Sequence, residues 1–327
     1  MDITFAYFDE YGPPAVLKTT SELCPPLGSD EILVEIAAAG VNPYDLKLRA
    51  GEFSAHGSQG RQRIGIDGAG TVIRVGAEVA DWPVGQRVLV RNKVGTYASH
   101  IAVKGLNLVK LPTTVTFEEA AAIGTPAGTA FQALKSLNVS AEDSVLIHGG
   151  SGAVGQAAIQ FARTLGALRI YATTSANRVE KVRALGAEPV VYGDKLMKRL
   201  EQISAITPFT VILDAAGTED ALRSVKLLSH PSRWATIVQG KAADRLRLRS
   251  FDGGSSTPLS KDERRLRKEG VHEALRLIGE SKFHVEVGQT FPLTHACQAH
   301  EFAECSGTTG RAVVVPEPRE VKSLVVV

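Results

Sequence analysis

Ser144-Val-Leu-Ile-His-Gly-Gly-Ser-Gly-Ala-Val-Gly155 is the stretch of sequence that decides the fold. An apolar run leads directly into a turn of the form G-x-G-x-x-G, whose marked positions are Gly150, Gly152 and Gly155. In residues 156–166, apolar side chains recur at three- and four-residue spacing, which is typical of a helix. A strand, a glycine turn and a helix in this order predict a dinucleotide-binding unit. The alternative is a glycine-rich turn that binds nothing.

Each glycine of the turn has a predicted role. Gly150 allows the tight turn, Gly152 lets the backbone approach a pyrophosphate, and Gly155 lets the helix pack close to the strand. The N-terminus of the helix adds free N–H groups and a partial positive charge, both of which attract phosphate. The predicted cofactor contacts in this turn are Gly150, Ser151, Gly152, Ala153, Val154 and Gly155.

The end of the second predicted strand indicates which nucleotide is bound. That strand, residues 168–174, and the four residues after it contain no Asp or Glu. NAD-binding units place a carboxylate here to hold the ribose 2′-hydroxyl, and that carboxylate would repel a 2′-phosphate. The side chains present are instead hydroxyls and a planar cation that suit a phosphate: Thr173, Thr174, Ser175 and Arg178. The pattern favours NADP(H). The alternative is that Arg178 is a solvated residue in the first turn of the next helix, where a cation opposes the macrodipole.

Length and composition narrow the class of protein. A chain of 327 residues is long enough for two domains, and 44% apolar with 22% charged residues is ordinary for a globular protein. The net charge of +2 argues against a nucleic-acid partner, and no apolar run is long enough for a membrane span. No signal peptide is visible, so we expect a cytoplasmic location. Three cysteines are too few for a disulfide framework or a zinc site.

The pattern of predicted elements changes along the chain. Strands at 32–36, 70–76, 86–90 and 99–103 predict a compact, barrel-like β domain. Two helices are predicted at 117–123 and 129–137, and strands and helices then alternate, which predicts a parallel sheet covered by helices. Residues 285–315 return to a strand–helix–strand pattern that is expected to fold back onto the first domain. The apolar tail at 323–327 is either an added strand or disordered.

Later predicted strands supply further candidate contacts and one ambiguous segment. Ligands of parallel sheets bind at the carboxyl ends of the strands, so the residues that follow strands 209–214 and 234–238 are candidates: Ala215, Ala216, Val238 and Gly240. The alternating arginines of residues 245–249 form either an edge strand or a basic rim near the cofactor phosphates, and we favour the strand.

Segments spread along the chain carry a resemblance to a known superfamily. They are residues 11–17, 39–51, 65–72, 84–88, 95–98, 119–133, 185–188 and 310–314, with the glycine turn among them. In this order they resemble the medium-chain dehydrogenase/reductase superfamily, more narrowly its zinc-free quinone oxidoreductase branch. That branch includes the zeta-crystallin-like quinone reductases and the plant 2-alkenal (enone) reductases. The motif at residues 41–47, Val-Asn-Pro-Tyr-Asp-Leu-Lys, and the glycine turn are the specific matches.

The resemblance implies an α/β fold in which a doubly wound Rossmann domain is inserted in a GroES-like, β-rich catalytic domain. The Rossmann NADP(H)-binding domain is expected at residues 119–281, and the catalytic domain at residues 1–118 and 282–327. The resemblance also implies a homodimer. It adds two cofactor contacts: Thr129, at the start of a helix, and Tyr192, stacked near the adenine.

The same resemblance implies that no zinc is bound. Asn42 stands where the superfamily's zinc enzymes place their first cysteine ligand, and residues 66–67 are Ile-Asp instead of the His-Glu pair. Zinc prefers thiolate and imidazole ligands. Without a Lewis acid, reduction of an already polarised acceptor is the expected chemistry.

The expected activity is NADPH-dependent reduction of a small quinone or an α,β-unsaturated carbonyl compound (an enone). Negative charge then develops on the substrate oxygen, and donors stabilise it. The candidates are Asn42, which is expected to hold the substrate or the nicotinamide amide, and Tyr44 and Lys47, as donors. Lys47 matches a lysine that the related reductases carry beside the substrate. Asp45 and Asp67 are interpreted as structural, and Tyr97 as a packing residue.

Two alternatives remain at this point. In the first, the chain is a biosynthetic enoyl reductase whose basic segments at 245–249 and 264–268 dock a carrier or a CoA phosphate. In the second, it is a non-catalytic NADPH-binding protein. Mitochondrial-type enoyl thioester reductases place a proton-donating tyrosine about where Phe53 stands, which argues against that activity.

Overall fold

A computed structural model describes residues 1–52, 60–251, 254–305 and 309–316. Contacts between residues divide the chain into two compact units, Met1–Gly124 with Val285–Val327, and Thr125–His284. Phe53 and the apolar tail at 323–327 lie outside the described residues. No helix within the described ranges has the length and apolar character that a membrane crossing requires.

The described elements follow the chain in this order. The strands are β1 (Asp2–Phe8), β2 (Lys18–Leu23), β3 (Ile32–Gly40), β4 (Gln62–Arg63), β5 (Asp67–Val75), β6 (Arg87–Arg91), β7 (His100–Val103), β8 (Leu108–Lys110), β9 (Ser144–His148), β10 (Arg169–Thr174), β11 (Glu188–Val191), β12 (Val211–Asp214), β13 (Trp234–Thr236), β14 (Arg249–Ser250), β15 (Val287–Pro292) and β16 (Arg311–Val315). The α-helices are α1 (Pro43–Ala50), α2 (Phe117–Ser136), α3 (Ala153–Thr164), α4 (Val179–Leu185), α5 (Leu196–Ile206), α6 (Glu219–Arg223), α7 (Gly240–Arg245), α8 (Lys261–Gly279) and α9 (Ala296–Glu304).

The first unit is built from two mainly antiparallel sheets. One has the strand order β2-β1-β4, and the other has the order β15-β16-β3-β5-β6-β8, with β7 also paired to β3. Strand β16 pairs antiparallel with β3, so the last described strand completes a sheet that begins near the N-terminus. The core beneath these sheets joins apolar side chains from both chain regions, including Ile36, Val72, Phe291 and Val314. Strand β16 and residues near Phe291 thus share a sheet and a core with the first part of the chain.

The second unit contains a six-stranded parallel sheet with the order β11-β10-β9-β12-β13-β14. Chain order runs outward from β9 in both directions, so β9 lies at the point where the strand order reverses. All five residues of β9 are buried, as expected for a strand covered by helices on both faces. The predicted doubly wound parallel sheet, in a chain that also contains a β-rich unit, is confirmed.

One continuous helix, α2, replaces the two predicted helices, and Pro126 lies inside it. The prediction of two helices was wrong: glycine and proline disfavour a helix interior, but this helix continues through Gly124 and Pro126. The glycines of this helix serve close packing instead. A Cβ at Gly124 would lie 2.8 Å from Asp67 Oδ1, and one at Gly128 would lie 2.8 Å from the Arg267 carbonyl oxygen. Thr129 therefore lies within a helix and does not begin one.

The segment of alternating arginines is mostly not a strand. Helix α7 ends at Arg245, Arg247 has a left-handed backbone with φ of 56°, and only Arg249–Ser250 pairs with β13. The edge-strand prediction was therefore wrong for residues 245–248. Helix propensity continues through Arg245, and a left-handed residue then turns the chain toward the sheet.

Candidate functional site

The glycine turn begins immediately after β9. Gly149 has a left-handed backbone with φ of 81°. Its N–H donates to Thr173 Oγ1 at 3.0 Å, and the Gly150 N–H donates to the Thr173 carbonyl at 2.8 Å. A Cβ on Gly150 would lie 2.5 Å from the Ala172 Cβ. The left-handed conformation falls on Gly149, to which no role was predicted, while Gly150, predicted to allow the tight turn, packs closely against β10.

The other two glycines of the motif differ in their surroundings. A Cβ on Gly155 would overlap the Gly149 carbonyl oxygen and lie 2.8 Å from the Gly150 Cα, so α3 starts in direct contact with the turn. A Cβ on Gly152 would meet only the Gly149 oxygen, at an ordinary 3.4 Å. Packing within the chain therefore requires glycine at 155 and leaves space at 152. That space fits the predicted approach of a pyrophosphate.

Helix α3 offers its N-terminus at the same point. Gly152 is its N-cap and has no side chain that can accept hydrogen bonds from the first N–H groups of the helix. Gly152 is exposed, and Ser151, Ala153 and Val154 are half-buried. The end of this 12-residue helix therefore has the properties of an anion site.

Parallel pairing brings the other predicted contacts to the same end of the sheet. The order β10-β9-β12-β13 places the segments after these strands side by side. These segments contain Ser175 and Arg178, the glycine turn, Ala215 with Ala216, and Val238 with Gly240. Tyr192 follows β11, its side chain is 55% exposed, and its N–H donates to the Thr174 carbonyl at 2.9 Å.

The hydroxyl groups at the end of β10 have different environments; they belong to Thr173, Thr174 and Ser175. Thr173 is buried, and its hydroxyl oxygen accepts the Gly149 N–H described above. Thr174 is also buried, while Ser175 is half-buried and donates to Asn177 Oδ1 at 2.6 Å. Ser175 is therefore the hydroxyl that solvent reaches, and Thr173 shapes the turn.

Two cations lie close together beyond β10. Arg178 is half-buried at the start of α4. Burial and, to a smaller extent, the positive charge of Arg178 together lower the pKa of Lys181 to about 8. Two cations held close together repel each other, and a bound phosphate would relieve that repulsion. This end of the sheet therefore fits a 2′-phosphate.

In the first unit, the side chains of α1 lie in two environments. Asp45 and Arg49 are one turn apart and buried. Tyr44, 37% exposed, and the half-buried Lys47 are three residues apart and share a face. Burial raises the pKa of Tyr44, and the neighbouring Asp45 raises it further, so Tyr44 retains its proton. The structure places Tyr44 and Lys47 on one face of α1, and their role as donors stays a prediction.

Asn42 lies in a buried polar network that begins at the N-terminus of α1. Its side-chain amide donates to Asp67 Oδ2 at 3.2 Å and to the Gly40 carbonyl at 3.3 Å. Its Oδ1 accepts a hydrogen bond from Arg311 Nη2, and its N–H donates to Asp45 Oδ2 at 2.8 Å. Asn42 is fully buried, and these hydrogen bonds hold the N-terminus of α1 in place. Direct contact of Asn42 with a substrate stays a prediction.

Charges of both signs are buried within this network. The pKa of Asp45 is raised to about 7, mainly by burial; the hydrogen bond from the Asn42 N–H acts against this rise, and the charge of Asp67 contributes to it. Burial lowers the pKa of Arg311, while Asp67 and Asp45 oppose that change. Asp45 Oδ1 has no hydrogen-bond partner among the described residues. The network therefore supports the structural interpretation of Asp45 and Asp67.

Tyr97 packs beneath this network. It is fully buried, and its hydroxyl lies 3.3 Å from His300 Nε2, with the two rings edge to face at 5.7 Å between centroids. Burial lowers the pKa of His300 to about 3, and the charge of Arg49 contributes, so His300 is neutral. The interpretation of Tyr97 as a packing residue agrees with this placement, with a hydrogen bond added.

Replacing Tyr97 with phenylalanine is expected to lower the free energy of unfolding by about 1–2 kcal/mol, because the buried His300 Nε2 loses its partner. Urea unfolding at neutral pH measures this. Tyr7→Phe, on the half-buried part of β1, is the control, with an expected change within about 0.5 kcal/mol. Equal changes for the two variants would show that the Tyr97 hydrogen bond contributes nothing.

The donor chemistry around Asn42 does not fit a metal ion. The guanidinium of Arg311 donates to Asn42 Oδ1, and a cation there would be repelled by it. Within the described ranges, no group of three or more His, Cys, Asp or Glu side chains is arranged to hold a metal.

Three arginines near the start of α8 are engaged within the chain. Arg265 pairs with Asp262 at 3.3 Å and Glu269 at 2.6 Å. Arg267 donates to the Phe251 carbonyl at 2.7 Å, and Arg264 donates to the Leu259 carbonyl. These contacts hold the side chains on which carrier docking would depend.

Comparison with known proteins gives matches over both units. Residues 28–113 match the family model of the alcohol dehydrogenase GroES-like domain, and residues 153–245 match that of the zinc-binding dehydrogenases. Quinone oxidoreductase of Mus musculus is 30% identical over 322 residues, covering 94% of this chain and 96% of that protein. The chloroplastic NADPH-dependent alkenal/one oxidoreductase of Arabidopsis thaliana is 28% identical, covering 95% of this chain and 79% of that protein.

A solved structure agrees with these matches. Escherichia coli quinone oxidoreductase, complexed with NADPH, has a TM-score of 0.82 and 26% identity, covering 96% of this chain and all of that chain. The glycine turn, the strand order and near full-length similarity agree, and the chain belongs to the quinone oxidoreductase branch of the medium-chain dehydrogenase/reductase superfamily.

Proposed function

We propose that this chain is an NADPH-dependent reductase, and that NADPH, when bound, supplies a hydride to a quinone or an α,β-unsaturated carbonyl compound. One observation carries the proposal: the carboxyl end of the parallel sheet combines an open Gly152 position, a helix N-terminus and the Arg178–Lys181 cations. The names of the mouse and Arabidopsis relatives support the substrate class.

Different residues at the carboxyl end of the sheet bind different parts of the cofactor. The backbone N–H groups at the start of α3 bind the pyrophosphate. Arg178 binds the 2′-phosphate, helped by the field of Lys181 and the hydroxyl of Ser175. The exposed ring of Tyr192 stacks on the adenine. The loops at Ala215, Ala216, Val238 and Gly240 and the buried Thr129 complete the set of proposed contacts.

Helix α1 supplies the groups that act on the substrate. Tyr44 and Lys47 donate hydrogen bonds to the substrate oxygen, on which negative charge develops during reduction. Tyr44 has a proton to donate, since its pKa is raised above the usual value. Asn42 holds α1 in place through Asp67 and Arg311.

The reaction proposed here is zinc-independent. The network around Asn42 already contains a guanidinium, and its amide and carboxylate groups lack the thiolate and imidazole ligands that zinc prefers. We further expect a homodimer from the family resemblance, and we propose a cytoplasmic location.

Purified protein assayed with NADPH and a panel of quinones, short enones and enoyl thioesters tests the reaction class. Oxidation of NADPH with quinones or enones supports the proposal. Turnover confined to enoyl thioesters, and lost as salt is raised, would favour the carrier-linked enoyl reductase. Tight NADPH binding with no turnover across the panel would favour the non-catalytic alternative.

Replacing Arg178 with alanine is expected to raise the KM for NADPH by about 10- to 100-fold and to leave the KM for NADH unchanged. The variant loses hydrogen bonds to a charged phosphate that only NADPH carries. Arg183→Ala is the control, because Arg183 is exposed and pairs with Glu180 one turn earlier. Equal KM changes for the two cofactors would contradict the assignment of Arg178.

A further inference from the structure

The carboxylate of Asp214, at the carboxyl end of β12, is buried and accepts four hydrogen bonds. Its Oδ1 accepts from the backbone N–H groups of Ala216 and Gly217, both at 2.9 Å. Its Oδ2 accepts from the Thr236 hydroxyl at 2.7 Å and from the Gln239 side-chain amide at 2.8 Å. Two hydrogen bonds to each oxygen fill the acceptor capacity of a carboxylate. All four donors are neutral, so Asp214 organises backbone and polar groups, not an ion pair.

The hydroxyl of Thr236, at the carboxyl end of β13, extends this arrangement to a second loop. Its oxygen accepts from the backbone N–H groups of Val238 at 3.0 Å and Gln239 at 3.1 Å. The same hydroxyl donates its hydrogen bond to Asp214, which lies opposite Thr236 in the register of β12 and β13. Two buried side chains therefore fix the backbone of residues 215–217 and 237–239.

The first of these loops lies against the glycine turn. Asp214 pairs with His148, the last residue of β9, and the Ala215 N–H donates to the His148 carbonyl at 3.0 Å. A Cβ on Gly149 would lie 3.0 Å from the Ala215 oxygen. In the strand order, β12 and β13 lie on the opposite side of β9 from β10. The loops are thus on the side away from Arg178.

We infer that Asp214 and Thr236 are positioning residues for the nicotinamide half of NADPH. A dinucleotide extends across the point where the strand order reverses, with its two halves on opposite sides of the turn. The 2′-phosphate end is assigned to the β10 side, so the other half extends along the loops that these two residues fix. This inference rests on the proposed function, because it requires that the chain binds NADPH.

Thr236 gives the sharper test, because valine has the shape of threonine without its hydroxyl, and serine keeps the hydroxyl. Thr236→Val removes the acceptor of two backbone N–H groups and one donor to Asp214, whereas Thr236→Ser retains all three. We expect Thr236→Val to raise the Kd for NADPH about tenfold or more, which corresponds to the loss of one or two net hydrogen bonds. The Kd for adenosine 2′,5′-bisphosphate, which carries only the adenosine end, is expected to stay within about twofold.

Calorimetric titration of both ligands into each variant distinguishes the outcomes, with circular dichroism to confirm the fold. Asp214→Asn serves as the second variant and is expected to give the same selective loss, because its amide NH₂ would face donors. An unchanged Kd for NADPH in Thr236→Val, or equal weakening of both ligands, would overturn the inference. Failure of the unmodified chain and of Thr236→Ser to bind either ligand would instead overturn the proposed function.

Discussion

Replacing Gly155 with alanine is expected to destabilise the fold by more than about 4 kcal/mol, which is exceptional for a single methyl group. The added Cβ would overlap the Gly149 carbonyl oxygen and lie 2.8 Å from the Gly150 Cα. Both obstacles are backbone atoms of the turn, so no side-chain rotation relieves them. Relief requires that α3 move away from β9, and both elements are buried at this point.

The same substitution three residues earlier is expected to separate stability from binding. At Gly152 the φ of −78° suits alanine, and the new Cβ has an ordinary contact at 3.4 Å. Gly152→Ala should therefore change the free energy of unfolding by less than about 1 kcal/mol, the usual cost at an N-cap. Its methyl group would occupy the space assigned to the pyrophosphate, so the affinity for NADPH should fall about tenfold or more.

Urea unfolding and calorimetric NADPH titration of the two variants measure these effects. Gly155→Ala with a free energy of unfolding within about 1 kcal/mol of the unmodified chain would contradict the packing argument. Gly152→Ala with an unchanged Kd for NADPH would show that the cofactor does not approach this position.

The second large effect is a pH dependence of stability that originates at Asp45. Its carboxyl has an ordinary pKa of 3.8 when unfolded and a pKa of about 7 in the folded chain. Between these values the folded chain holds a proton that the unfolded chain has lost, so rising pH opposes folding. The stabilising contribution is complete below about pH 4 and is lost by about pH 7. The pKa values differ by about 3, which corresponds to at most about 4 kcal/mol.

Buried histidines act in the opposite direction in part of the same range. Burial lowers the pKa of His148 to about 4 and that of His300 to about 3. Both are neutral when folded, so their contributions are present above the ordinary pKa of 6.5 and are lost as the pH falls. The total curve mixes these terms, and the difference between a variant and the unmodified chain isolates Asp45.

Asp45→Asn is therefore expected to be more stable relative to the unmodified chain at neutral pH than near pH 4, by up to about 4 kcal/mol. The asparagine oxygen can still accept the Asn42 N–H. Urea unfolding at steps across this range measures the difference, and Asp9→Asn, at an exposed residue paired with Lys18, is the control. Parallel stability curves for Asp45→Asn and the unmodified chain would show that the buried carboxyl does not titrate in this window.

Local patterns in the sequence predicted the parallel-sheet domain well. Strand β9, the turn and α3 are adjacent in the chain, and each has its own signal: an apolar run, glycines and helical spacing. The absence of a carboxylate at the end of β10 is likewise a local signal, because it can be read directly from residues 168–178. The role of Gly149 was missed because the motif describes Gly150 and does not determine which residue takes the left-handed conformation.

The network around Asn42 had no comparable signal, because it depends on contacts between distant residues. Arg311 lies 269 positions from Asn42, at the start of an otherwise apolar strand. A charge in such a strand indicates a buried partner but does not say which one. The hydrogen bonds of Asp214 and Thr236 were missed for the same reason, since they depend on the register between β12 and β13.

The pairing of β16 with β3 also has a consequence for the order of events during synthesis. Residues 125–284 are continuous, so their sheet has all its strands once this segment leaves the ribosome. The other sheet lacks β15 and β16 until residues 287–315 emerge, and until then β3 lacks β16 at its edge and the carboxylates of Asp45 and Asp67 lack the neighbouring charge of Arg311. In the nascent chain, the unit at residues 125–284 is therefore complete first. Until β15 and β16 follow, the N-terminal part is the segment most exposed to aggregation and to capture by chaperones.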